Sequence, residues 1–459
     1  MSDLLGMVPA TRSAVTRPRT RWSFAFGPRF FLLLLLGVLW LTLAFFEPRW
    51  AYAMLAWDLA ALLAWGVDLL TLPKPSQLTV QRIWHSPPAL SVSSEVELAL
   101  INASSSALHV LALDSVPEQL RSSPPEIEIS VPSRAEASRK YTIRPAQRGT
   151  AVLGDVYVRY QGKFRIAERW ARASMEQRVQ IYPNLDEAKK QSSFLIRSRQ
   201  IEMEKRHSHL RGIGREFESL REYREGDEYR DICWTAAARR GKLVTRIYQV
   251  ERSQTVWIVI DSGRLMRARI HDLTKLDFAV NAALSLAQVA LYSGDRVGLL
   301  AYGRKLQQRL PAARGSSHLR QMIEQLATIH EETSEADHLR TAGRLLTDQK
   351  RRSLVVWLTD LAETAMTPEV IEAASQLMPR HLVLFVVIGQ PDLNEMASRQ
   401  PENKEEMFKI AAAQEMIHRR ELLLARLRER GALALEVSSA SLASVLVDSY
   451  LKVKARNRI

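Results

Sequence analysis

Apolar residues run from Phe30 to Phe46, broken in polarity by Thr42 alone, and again from Trp50 to Leu72, with only Glu47-Pro48-Arg49 between them. Runs of this length predict two membrane-crossing helices, and the proline in the connector predicts that they form a hairpin. From Gln77 to Pro183 the pattern changes to alternation, as at Val96, Leu98 and Leu100 and again at Val152, Val156 and Val158. Breaks at Asn102-Ala-Ser-Ser-Ser and Ser122-Ser-Pro-Pro punctuate it, which predicts a β-sandwich-like domain of immunoglobulin-like type. Further on, the apolar runs Val256–Asp261, Arg296–Tyr302, Leu354–Asp360 and Leu382–Ile388 alternate with helical patterns over 276–291 and 319–329. That order predicts an α/β doubly wound, mostly parallel sheet. The chain is therefore read as multidomain: a basic leader 1–29, two transmembrane helices within 30–72, a β-rich domain 77–183, a charged connecting segment 184–252 and an α/β domain 253–459.

Charge sets an orientation for the hairpin. Arg12, Arg17, Arg19, Arg21 and Arg29 precede the first apolar run, whereas the connector holds one basic residue. The positive-inside rule then places the N-terminus in the cytoplasm, and two crossings return everything after Leu72 to the same side. A cleaved signal peptide ending near Ala51-Tyr52-Ala53 is the competing reading; the long basic leader and the second apolar run stand against it. Asp58 and Asp68 interrupt the second run, and a carboxylate at a bilayer centre costs about 2.5–3.5 kcal/mol. Asp68 is placed near an interface, and Asp58 in helix packing or self-association.

The formal net charge is +14, but its cations are spread along the whole chain. No aromatic-interleaved basic groove or phosphate-binding loop accompanies them, so nucleic-acid or anionic-lipid binding is kept as the alternative function. The lone Cys233 excludes an intrachain disulfide and reads as a structural thiol. His207 and His209 are too few to hold a metal and read as surface residues. No Ser-His-Asp order, HExxH pair, CxxC pair or GxxxxGK[ST] run occurs, so the chain is read as a binding protein, with an unrecognised hydrolase ranked below.

Between Arg211 and Glu251, charges interleave with aromatics. Glu216, Arg221 and Glu225 around Phe217 and Leu220 read as a ladder of paired charges, and Gly226-Asp227 as a turn. Aromatics are costly to leave in water, and the arginines exceed what a linker requires. Phe217, Arg221, Tyr223, Arg224, Gly226, Asp227, Arg230, Trp234 and Arg239 are accordingly the candidates for a protein-docking surface or interdomain clamp. In that reading Trp234 packs on the α/β domain, and Arg221 and Arg230 hold carboxylates beside Gly226-Asp227. A solvated connector is the other reading.

This block resembles the pattern G-x-G-x-E-F-x-x-L-R-E-Y-x-x-G-D-x-x-R-x-I-x-W-x-x-x-A-R of the bacterial membrane family called domain of unknown function 58. Asp261 and Asp360 at strand ends, together with Gly294-Asp295-Arg296-Val297-Gly298-Leu299-Leu300, resemble a von Willebrand factor A-like domain. That resemblance implies a metal-ion-dependent adhesion site built from Asp-x-Ser-x-Ser, a loop Thr and a second Asp. Here Asp261 is present, Gly263 and Leu265 stand at the serine positions, Ser316 or Ser317 stands in for the Thr, and Asp360 matches the last acid. Arg264 is a rival partner for either acid. The expectation is weak or absent magnesium binding and no other cofactor. The family resemblance also implies a partner, because relatives are commonly encoded beside MoxR-type AAA+ ATPases. The chain would then be an adaptor in the bacterial inner membrane, with both termini cytoplasmic.

Overall fold

The computed structural model describes residues 13–19, 24–184, 216–225, 227–249, 254–361 and 367–456. The chain divides into two compact units, Met1–Leu185 with Ile323–His330 and Asp186–Met322 with Glu331–Ile459.

In the first unit two short strands, β1 (Ala14–Thr16) and β2 (Ala25–Phe26), precede helices α1 (Pro28–Ala44) and α2 (Trp50–Thr71). Nine strands follow: β3 (Leu78–Trp84), β4 (Ser94–Asn102), β5 (Leu108–Asp114), β6 (Glu126–Val131), β7 (Glu136–Ile143), β8 (Gly149–Leu153), β9 (Val156–Gln161), β10 (Ala167–Ala173) and β11 (Gln177–Ile181). They form antiparallel sheets in the orders β1-β3-β4-β7 and β2-β10-β9-β5-β6, with β8 and β11 paired separately. One apolar core is shared by the sheets, with Val80, Leu98 and Leu100 from the first and Val110, Val158 and Tyr160 from the second.

Within the basic leader 1–29, two short stretches are paired with the β-rich domain. Ala14–Thr16 pairs with β3, and Ala25–Phe26 with β10. Strands of three and two residues are too short to leave a periodic signal, which is why the sequence reads as a basic tail.

The two apolar helices pack on each other. Trp57 Nε1 donates to the Leu33 carbonyl at 2.8 Å, and Trp40 stacks on Trp50 with ring centroids 5.5 Å apart. Gly37 permits this approach: a Cβ there would stand 2.8 Å from the Trp57 ring and 2.9 Å from the Asp58 carboxylate. Helix α2 is long and apolar enough to cross a membrane, and α1 is shorter. Phe31, Leu35, Leu39, Leu55, Leu59 and Leu63 all face outward. At the other end of α2, the buried Asp68 accepts from the backbone N–H groups of Ile166 and Ala167 at 2.9 and 2.8 Å. Trp65 Nε1 reaches the Ala25 carbonyl at 3.1 Å.

The β-rich core encloses one ion pair. Arg82 and Asp114, both inaccessible to solvent, join in a two-pronged salt bridge. Tyr141 donates to Asp114 at 2.7 Å, and the guanidinium also reaches the carbonyls of Met175 and Gly154 at 3.0 Å each. Burial, followed by the Asp114 charge, pushes the Tyr141 phenol well above its usual range. Removing one partner of such a pair leaves an uncompensated buried charge. Asp114→Ala is therefore expected to destabilise this unit by about 3–5 kcal/mol, read from urea unfolding of the full chain in micelles. A loss below about 1 kcal/mol would show that Arg82 finds other partners.

Among the described residues of the second unit, a hairpin of β12 (Glu216–Glu222) and β13 (Val244–Gln249) comes first, with helix α3 (Trp234–Arg240) between them. A sheet in the order β18-β17-β14-β19-β20-β21 follows. Its strands are β14 (Thr255–Asp261), β17 (Arg296–Tyr302), β18 (Leu306–Ala313), β19 (Leu354–Thr359), β20 (Leu382–Gly389) and β21 (Leu433–Ser438), all parallel except edge strand β18. The short pair β15 (Arg269–Ile270) and β16 (Leu273–Thr274) lies between β14 and β17 in sequence. The helices are α4 (Lys275–Tyr292), α5 (Ser316–Thr328), α6 (His338–Asp348), α7 (Thr367–Leu377), α8 (Pro391–Ser398), α9 (Lys404–Glu429) and α10 (Leu442–Ala455). Trp257 and Val259 of β14 enter a core with Leu345 of α6, Leu377 of α7 and Leu423 of α9, while α4 packs against α10. Parallel strands buried on both faces need continuous apolar runs, which is why these strands stand out in the sequence.

Candidate functional site

Two places gather the residues singled out by the sequence. The first is the hairpin. Where the sequence reads as a ladder of helical charges, residues 216–222 form a strand, because pairing with 244–249 satisfies their backbone groups. Arg221 finds its partner across the turn: its guanidinium donates to Asp227 at 2.6 Å. The other Asp227 oxygen accepts from the Arg224 N–H at 3.0 Å and the Thr245 hydroxyl at 3.3 Å. The Arg224 N–H, then the Arg221 guanidinium and the Thr245 hydroxyl, hold the Asp227 carboxyl below its usual range against partial desolvation. Gly226 and the side chain of Phe217 lie outside the described residues. So do His207 and His209.

Trp234 overturns the packing expected of it. Its side chain is 65% exposed, as is the Tyr229 ring at 77%, stacked on Tyr223 with centroids 6.2 Å apart. Ile232, Cys233 and Ala237 take the inward positions instead. Cys233 and Ala237, four residues apart, share the inward side of this seven-residue helix, and Trp234 opens it with its side chain in solvent. Arg224, Arg230, Arg239 and Arg240 of the same segment are exposed as well.

The second place is the carboxyl edge of the parallel sheet. Asp261 ends β14 and Asp360 follows β19, its register partner, so both acids reach one edge. Ser316 does not. Asp261 lies beside Tyr302 at one end of β17, while Ala313, just before Ser316, pairs with Val297 near the other end. The separation is on the order of 15 Å, from strand rise. Ser316 and Ser317 are exposed on the opening turn of α5, away from the acids.

The segment that closes the acid edge is 331–338. Glu332 N–H donates to the Ser262 carbonyl at 2.8 Å, and Arg264 N–H to the Ser334 carbonyl at 2.9 Å. Ala336 approaches Gly263 so closely that a Cβ on that glycine would lie 3.0 Å from the Ala336 Cβ. Any side chain at 263 would therefore need Ala336 to give way by a few tenths of an ångström. Arg264 pairs with Glu335 at 3.4 Å rather than with either proposed acid.

Each carboxylate is occupied by protein donors. Asp261 accepts from Gly263 N–H and Thr359 Oγ1, both at 2.7 Å. Asp360 accepts from Lys275 Nζ at 2.5 Å and faces Arg420 Nη2 at 3.5 Å. Arg420 in turn reaches Glu436 at 2.7 Å. Lys275, Asp360 and Arg420 are all buried. Burial raises the Asp261 carboxyl; His338, Thr359 and the Gly263 N–H oppose the shift, and Asp360 adds to it.

A divalent ion does not fit this donor set. The two basic side chains already pair with the carboxylates of Asp360 and Glu436. A further double charge would meet two buried basic side chains beside Asp360. The cavity at this edge, lined by Asp261, Gly263, His338, Asp360 and Val370 among others, holds about 30 Å³, more than the roughly 10–15 Å³ that one water needs.

Sequence reasoning missed Lys275, Arg420 and Thr359. One signal was available for Lys275: it opens α4 just after Thr274, whose side chain accepts from the Asp277 N–H as an N-cap. A cation in the first turn of a helix opposes the macrodipole, so a buried lysine there needs a carboxylate close by.

A family model described as "Protein of unknown function DUF58" matches residues 219–418, from within β12 into α9. "Uncharacterized protein Rv1480" of Mycobacterium tuberculosis is 26% identical over 182 residues, 39% of this chain and 56% of its own length. "Uncharacterized protein YeaD" of Bacillus subtilis is 25% identical over 112 residues, 24% of this chain and 26% of its own. The chain thus spans about half, or less, of the curated relatives it matches. Among solved structures, BatB from Bacteroides thetaiotaomicron aligns at 15% identity and TM-score 0.30, over 44% of this chain and 100% of that one. An aerotolerance-related membrane protein from Bacteroides fragilis aligns at 16% and 0.29, over 44% and 99%. The vWF domain of the pilus tip protein Mfa5 from Porphyromonas gingivalis aligns at 10% and 0.30, over 44% and 95%.

The Asp227 contacts set a pH dependence. A carboxyl with a depressed folded-state pKa contributes stability above its unfolded pKa and loses it as pH falls through the folded one. Asp227→Asn is therefore expected to weaken hydrogen-exchange protection of the Tyr223 and Cys233 amides at neutral pH. These amides bond the carbonyls of Leu243 and Val244. Wild type and variant should converge in acid; a gap that persists there would assign the effect to something other than the carboxylate charge.

Proposed function

We propose that this chain is a membrane-anchored adaptor that docks a cytoplasmic protein, a MoxR-type AAA+ ATPase, through the hairpin 216–249. The observation that carries this reading is the outer face of that hairpin. Tyr229 and Trp234 stand in solvent, as do Arg224, Arg230, Arg239 and Arg240 of the same segment. Exposed aromatics among arginines are the composition of interface hot spots. The family match beginning at residue 219 takes in most of the hairpin.

The anchor is the pair α1 and α2, read as a hairpin in a bacterial inner membrane below a β-sandwich. Its support is the outward apolar surface of both helices and the pairing of β2 with β10, which brings the chain before α1 and after α2 to one body. The arginines at 17, 19 and 29 favour the cytoplasmic side for that body.

Trp234→Ala is expected to change stability by less than about 0.5 kcal/mol, as for a surface residue. Combined with Tyr229→Ala, it should lower recovery of the ATPase from solubilised membranes at least about tenfold, the size of one hot spot. Unchanged recovery would remove the docking role. Topology is tested separately. A reporter active only outside the cytoplasm, fused after Ile459, should stay silent, and a strong signal would replace the hairpin by export.

A further inference from the structure

We infer that Lys275 is a built-in cation at the acid edge of the sheet, and that this edge is closed to divalent metal because its own ammonium and guanidinium groups hold the acid a metal would use. The inference does not depend on which partner the hairpin 216–249 docks.

Three observations carry it. Lys275 Nζ sits 2.5 Å from Asp360 Oδ2, with both side chains almost fully buried. A lysine amino group so placed needs a partner, because an unpaired one is costly to take out of water. Arg420, equally buried, approaches the second Asp360 oxygen and is itself neutralised by Glu436. The carboxyl edge therefore carries a closed row of alternating charges, Lys275, Asp360, Arg420 and Glu436, in which every charge has an opposite neighbour.

The second acid is arranged differently. Asp261 is held by a hydroxyl and a backbone N–H rather than by a lysine or arginine, and Ala336 closes on Gly263 beside it. Lys275 opens a helix whose amino end already favours anions, so its ammonium is placed there against the helix field by Asp360 alone. Within this edge an inorganic cation and the lysine are alternatives, and the lysine is covalently present at an effective concentration no dissolved ion matches.

The test is manganese binding, followed by electron paramagnetic resonance on the full chain in micelles, with thermal unfolding alongside. Wild type is expected to show no saturable site below about 1 mM, and a melting temperature indifferent to manganese or to chelator. Lys275→Ala leaves Asp360 with Arg420 only and opens a space. It should melt earlier and regain part of the loss as manganese is added, and Lys275→Ala with Asp360→Ala should regain none. A saturable micromolar site in wild type that Asp261→Ala abolishes would overturn the inference. So would a folded Lys275→Ala that neither binds manganese nor responds to it. Should Lys275→Ala fail to fold, Lys275→Gln carries the same measurement, and Lys275→Arg should keep the wild-type indifference to metal.

Discussion

The β-rich unit depends on a single constraint: the chain must leave it and re-enter it at neighbouring points. β2 hands the backbone to α1, α2 returns it to β3, and β2 and β3 lie in the two sheets that share one core. Asp68 closes the return. One of its carboxylate oxygens takes up two backbone N–H groups at the start of β10, the strand that β2 also pairs with. Buried N–H groups without acceptors are costly, so the acid at the helix end and the strand beside it require each other. The geometry of α1 and α2 follows from that closure, with Gly37 and Trp57 setting how closely they approach.

The α/β unit answers the same requirement with different chemistry. At its carboxyl edge, every acid that the strands deliver is met by a donor from elsewhere in the unit. Lys275 comes from the start of α4, Arg420 from the middle of α9 and Thr359 from the end of β19. Three elements far apart in sequence are thereby held to one edge. Such a network is rigid because each member would be left charged or unsatisfied if another moved.

Much of this was legible in the residues. The helices over 28–71 and the strands at 256, 296, 354 and 382 announce themselves because continuous burial needs continuous apolar sequence. Asp261 and Asp360 were found because acids closing such runs fall at strand ends. Other features were not legible. Strands of two or three residues carry no period, which hid β1 and β2. The hairpin at 216–249 was obscured because its strand pairing depends on a segment more than twenty residues away, while its charges fit a helical ladder equally well. Trp234 was read as buried from its type alone, but the direction of a side chain on a seven-residue helix is decided by which neighbours turn inward, here Cys233 and Ala237. Ser316 was matched to the acids by residue type, whereas β18 runs antiparallel and delivers it to the far end of the sheet.

Cys233 has a consequence of another kind. It is the only sulfhydryl in the chain, it is buried just before α3, and hydrogen bonds from Thr235, Arg246 and the Ala236 N–H bring its thiol down to about 7. A thiol lowered in this way reacts through its thiolate, and because the sulfur is buried its rate with a thiol reagent also depends on how often the hairpin opens. The molecule thus carries its own clock for breathing of the segment beside Trp234, readable without adding a label site anywhere else.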